Sequence, residues 1–96
     1  MKNKFFTKDG WLTRYAMACG YRHESQIGKL HIILSENNRE TNNYQVQVFD
    51  DNNYDNNEWI VTEGIVAAKR LYWLKCQGKP TKRFEANQDI ARMVYA

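Results

Sequence analysis

The side chains best placed for chemistry are the oxygen donors of Asp51-Asn52-Asn53-Tyr54-Asp55. Carboxylate and amide oxygens at alternate positions open a calcium-binding loop, which then requires glycine at its sixth position and a bidentate glutamate at its twelfth. Counted from Asp51, those positions hold Asn56 and Thr62, so the segment reads as an Asn/Asp turn and no metal is expected. Thiol and imidazole chemistry is no better supplied. Cys19 and His23 lie four apart, but a Cys/His nucleophilic pair needs a positioned base and a third group to orient it. Zinc needs about four such ligands, and the Cys19, Cys76, His23 and His31 of this chain are scattered. There is no glycine-rich phosphate loop, paired-carboxylate motif or serine elbow. The chain reads as non-enzymatic and without a cofactor.

Two other groups of residues are equipped to bind. Asp50, Asp51, Asp55 and Glu58 crowd around Tyr54, in a stretch where like charges repel. A partner surface rich in Lys or Arg would relieve that repulsion, and Tyr54 would bury its ring beside the ion pairs. The bland alternative is a solvated turn. Separately, Val66, Lys69, Arg70 and Trp73 recur at helical spacing, and an exposed tryptophan flanked by cations has the composition of a binding hot spot. Here the alternative is that a C-terminal helix covers Trp73 and Val66.

Charge is distributed unevenly. The formal net charge is +3, yet residues 1–35 balance at +4, residues 36–63 at −6 and residues 64–96 at +5. A basic average with an acidic middle is not the footprint of a simple nucleic-acid binder. Direct nucleic-acid binding is expected to be weak or absent. No apolar run is long enough to cross a bilayer, and Met1-Lys2-Asn3-Lys4 leads into no apolar leader. With two cysteines, both on apolar stripes, the chain reads as a cytoplasmic protein with reduced, buried thiols.

The elements that must position these groups fit one domain spanning residues 1–96. Leu12, Tyr15, Ala16 and Cys19 follow a helical period, with Asp9 as the expected N-cap and Gly20 as the stop. Tyr21 to Gly28 shows no period and reads as a polar connection. Leu30, Ile32 and Leu34 alternate within Lys29–Glu36, and Tyr44, Val46 and Val48 alternate within 44–50, which predicts two strands. A third strand is predicted at 58–62, adding Trp59 or Ile60 to the buried face. The central helix is predicted over 63–77, capped by Thr62, with Ile65, Ala67, Ala68, Leu71, Tyr72, Leu74 and Cys76 inward. Gly78 is expected at its left-handed C′ position, and Pro80 forbids continuation. A last short helix is predicted over Asn87–Tyr95. The expected fold is α+β, a three-stranded antiparallel meander against a central helix with short terminal helices, in the order α-β-β-β-α-α.

Two resemblances bear on function. A short, Lys- and Asn-rich, single-domain chain without a catalytic set resembles the small accessory proteins of bacteriophages and mobile elements, including anti-CRISPR proteins. That resemblance implies a viral inhibitor that binds and blocks a host protein or nucleoprotein complex with a basic surface, acting in the host cytoplasm. Three strands followed by a helix also resemble DNA-reading modules of the AP2 and integrase N-terminal type, which dock the sheet in the major groove. On that reading Gln45, Gln47, His31 and Phe49 would occupy the open face. A homodimer joined through the Trp73 face is the third reading.

Overall fold

The computed structural model describes residues 4–37, 42–80 and 83–86. In chain order these form α1 (Arg14–Ala18), β1 (Tyr21–Ile27), β2 (Leu30–Glu36), β3 (Asn43–Asp50), a 3-10 turn at Tyr54–Asn56, β4 (Glu58–Glu63), α2 (Ile65–Lys75) and β5 (Arg83–Ala86). The α+β class, the meander and the helix packed on it are as the sequence predicts. The sheet is larger: β1 to β4 form a four-stranded antiparallel meander, and β5 pairs with β1 to give the order β4-β3-β2-β1-β5. The predicted helix over Asn87–Tyr95 lies outside the described residues.

Residues opposite each other in an antiparallel ladder share a face. The registers Leu34↔Val46↔Ile60 and Ile32↔Val48 therefore build the apolar face. Ile32, Leu34, Tyr44, Val46 and Val48 are buried there, with Leu30 packed at the margin. Register selects Ile60 over Trp59, since Trp59 opposes Gln47 on the other face and is 61% exposed.

The unpredicted strand β1 has a physical reason to escape notice. Its core-facing positions include His23 and Ser25, both buried yet polar. They are tolerated because each is hydrogen-bonded. The His23 Nε2 accepts from the Leu12 N–H at 3.2 Å, and the Ser25 hydroxyl pairs with that of Tyr72. The Trp11 ring meets His23 edge-on at 4.9 Å between centroids. Burial, aided by the nearby Lys69 ammonium, pulls the His23 pKa down to about 4, so the ring is neutral and able to accept. The two-residue Gly28-Lys29 turn, closed by the Ile27↔Leu30 pair, was the legible mark of this hairpin.

Helix boundaries also differ from expectation. Asp9 does not cap α1; it accepts from the Thr7 hydroxyl inside a turn that runs to Gly10, and Leu12 bridges to Phe6. Thr13 is the N-cap, accepting from the Ala16 N–H at 3.2 Å. Tyr15 consequently turns outward and is 52% exposed. Nor does Thr62 cap α2. Thr62 and Glu63 pair with Tyr44 and Asn43, because the ladder offers their backbone groups better partners than a helical turn would. Gly64, at φ +86° and ψ 138°, makes the strand-to-helix corner in a single residue.

Against the sheet α2 lays a narrow stripe, Ala68, Tyr72 and Cys76, at intervals of four. Ile65 and Leu71 flank it half-buried, while Ala67 and Leu74, expected inside, face out. At the C-terminus Gly78 is left-handed as expected, at φ 72°, but the C′ position itself is taken by Gln77, left-handed too at φ 56°. The Gln77 N–H bonds the Leu74 carbonyl and the Gly78 N–H bonds the Trp73 carbonyl, both at 3.0 Å, a Schellman arrangement. Cys19 and Cys76 are both buried and free, as expected.

Because the unfolded chain protonates His23 near pH 6.5 and the folded chain only near pH 4, stability should be complete above the upper value and fall as pH drops between them. By pH ~5 the loss should be about 2 kcal/mol in urea denaturation. His23→Gln, whose amide oxygen can take the Leu12 bond, should lack this component of the acid sensitivity.

Candidate functional site

The loop from Asp50 to Asn57 is built on one carboxylate. Asp50 Oδ1 accepts from the Asn52 N–H at 2.9 Å and the Asn53 N–H at 3.3 Å, and Oδ2 accepts from the Asn56 amide at 3.1 Å. The Asp50 N–H in turn donates to Asn57 Oδ1 at 2.8 Å. Asn53 caps the following 3-10 turn by accepting from the Asp55 N–H at 3.1 Å. The Asp51 N–H reaches the Lys29 carbonyl at 3.3 Å, which ties the loop to the β1–β2 hairpin. Donors from Asn52 first, then Asn56, hold the Asp50 pKa below the usual carboxylate value.

This changes the roles within the predicted set. Asp50 is an internal acceptor, so crowding acid into this turn does have a folding reason. Glu58 is also committed: the Lys75 ammonium donates to its two oxygens at 3.0 and 2.9 Å, clasping the end of α2 to the start of β4. Asp51, Tyr54 and Asp55 remain presented to solvent, with Tyr54 84% exposed at the crest. Leu30, Val48, Asp50, Asp55, Asn56 and Glu58 line an open hollow of about 460 Å³.

The second predicted set does not hold together as one patch. Val66 (79% exposed), Arg70 and Trp73 (46%) do share the outer face of α2, joined by Leu74 (56%). Lys69 leaves them. It is half-buried on the inner side, with its Nζ 5.7 Å from the Trp11 ring centroid, and desolvation lowers its pKa. The Trp73 ring lies on Gly78, where an added Cβ would meet it at 3.1 Å. Part of its job is thus to pack the helix end.

On the sheet face opposite α2, the register aligns His31 with Phe49, Gln47 with Trp59 and Gln45 with Val61. The expected open-face set of His31, Gln45, Gln47 and Phe49 is thus assembled. Trp59 and Val61 add exposed apolar surface that sequence reasoning missed. Period-two parity with Val46 and Ile60 was the signal for it. The Trp59 indole N–H donates to Gln45 Oε1 at 3.0 Å. Among the described residues no three His, Cys, Asp or Glu side chains group to hold a metal ion, and no helix is long and apolar enough to cross a membrane.

Comparison with known protein families, curated proteins and solved structures finds no match.

If Asp50 organises the loop, Asp50→Ala should release it without unfolding the sheet. Amide exchange at Asn52, Asn53 and Asp55 should accelerate, while exchange in β2 and β3 stays slow. Unchanged exchange at the loop amides would show that the carboxylate does not hold it.

Proposed function

We propose that the chain is a small, non-enzymatic cytoplasmic binding module that docks the Asp51–Asp55 loop against a basic surface on a partner protein. The observation that supports this is Tyr54, 84% exposed on a turn already fixed by hydrogen bonds and flanked by two free-standing carboxylates. A tyrosine held out by a pre-formed turn loses little conformational freedom on binding. Asp51 and Asp55 supply steering toward Lys and Arg, and the ring supplies the anchor. A channel that normally accepts nucleic acid has the required charge. With the resemblance to phage accessory proteins of the anti-CRISPR type, we take the partner to be a host nucleic-acid-handling defence complex, blocked by occupation.

The second reading, a DNA-binding module of the AP2 or integrase N-terminal type, is favoured by one observation: His31, Gln45, Gln47 and Phe49 do share the open face. Glu63 occupies that face too, and the acidic loop borders it, so phosphate would be opposed there, while Glu24 on the same face is buried against the Arg22 guanidinium at 3.0 Å.

Affinity capture from the natural host identifies the partner, and kinetics with that partner test the surface. Asp51→Lys with Asp55→Lys should slow association roughly tenfold at low salt and flatten its salt dependence. Tyr54→Ala should mainly speed dissociation. If both leave binding intact while Trp73→Ala abolishes it in a folded protein, the loop is not the contact surface. Tight, sequence-selective binding to a short duplex at physiological salt would favour the second reading.

A further inference from the structure

Among the described residues the sheet ends on β5 at one side and on β4 at the other, and the two differ. β5 is four residues long, and shortness is a common protection against unwanted strand pairing. β4 runs six residues, Glu58-Trp59-Ile60-Val61-Thr62-Glu63, with charge only at its ends and neither Lys nor Pro within.

Ladder parity shows which of its peptide groups face outward. The Asn37 N–H bonds the Asn43 carbonyl at 2.9 Å and the Asp51 N–H bonds the Lys29 carbonyl at 3.3 Å, so the odd-numbered residues of β3 bond β2. Its even-numbered residues therefore bond Glu58, Ile60 and Thr62 of β4, an alternation continued by the Gly64 N–H on the Asn42 carbonyl at 2.9 Å. The peptide groups of Trp59, Val61 and Glu63 point away from the sheet, and no strand among the described residues meets them. Beside them, Trp59 and Val61 stand 61% and 47% exposed.

We propose that this edge pairs antiparallel with β4 of a second copy of the chain, in the register that sets Ile60 opposite its own counterpart. Twofold symmetry then places Trp59 opposite the other copy's Val61, and Val61 opposite its Trp59, as hydrogen-bonded pairs on the open face. Aromatic against β-branched is a favourable cross-strand match. Glu58 falls opposite Thr62 and Glu63 opposite Asn57, so no like charges meet. Centring on Val61 instead would keep only Val61 against its own counterpart and set Trp59 against Glu63 and Ile60 against Thr62, losing the Trp59–Val61 and Ile60–Ile60 matches. A single strand pair is a small interface, so the association is a reversible one. The two acidic loops emerge at opposite ends of the paired strands.

Sedimentation equilibrium and amide exchange across roughly 1–300 μM chain test this, a range that brackets a micromolar Kd. The average mass should rise from 11.4 kDa toward twice that value. Protection should grow with concentration at the amides of Trp59, Val61 and Glu63, while Ile60 and Thr62 stay protected throughout. Val61→Lys and, independently, Trp59→Ala should each hold the chain at monomer mass with an unchanged far-ultraviolet spectrum. Wild-type chain that remains monomeric at the highest concentration overturns the proposal. So does a dimer that survives both substitutions, or one whose added protection lies away from β4.

Discussion

A strand whose inward face is partly polar can sit in the core only if every inward polar group has a partner, and β1 depends on that condition. His23 takes the Leu12 N–H and Ser25 joins the Tyr72 hydroxyl. The first contact fastens the segment before α1 onto the sheet, and the second fastens α2 across it. The meander, the N-terminal segment and the helix are thus held to one another through two polar side chains of a single strand. Around them Ile32, Leu34, Val46 and Tyr72 supply the apolar burial that closes the core. Without the two partnerships, an unpaired imidazole and hydroxyl would stand in an apolar interior, at a cost of the order of 1–3 kcal/mol each.

The acidic loop works by a related economy at the surface. One carboxylate, Asp50, satisfies donors that the turn would otherwise leave to water, and this leaves its neighbours free to face outward. The chain's negative segment is therefore two populations. Asp50 and Glu58 serve the fold, while Asp51 and Asp55 stand clear of it. Sequence alone presents them as one cluster, since charge and spacing carry no record of which oxygen accepts from which amide.

Legibility followed the same division between apolar pattern and polar partnership. β2 and β3 were readable because Leu30, Ile32, Leu34, Tyr44, Val46 and Val48 alternate, and period-two alternation has one physical cause. β1 was not, because His23 and Ser25 take core positions through contacts with residues distant in sequence. The helix was readable in existence and type but not in its start. Thr62 has the chemistry of a cap, yet the ladder took it first. Its face was read too broadly, since a helix seated on a twisted sheet by small Ala68 and Cys76 needs only a narrow stripe inward. Lys69 and Trp73 were grouped by spacing, and the packing of each ring, Trp11 under one and Trp73 on Gly78, separated them.

Gly64 connects β4 to α2 with nothing to spare, and the β1–β2 turn has only two residues. These junctions admit no insertion or deletion without shifting a register or swinging the helix off the sheet. The loop between β3 and β4 is held by its own hydrogen bonds and by the Asp51 N–H on the Lys29 carbonyl, so a change of length within it shifts neither a strand register nor the helix. Length variation in descendants of this chain would accordingly accumulate there. The segment that presents Tyr54 can diversify in size and charge while the scaffold beneath it remains unaltered.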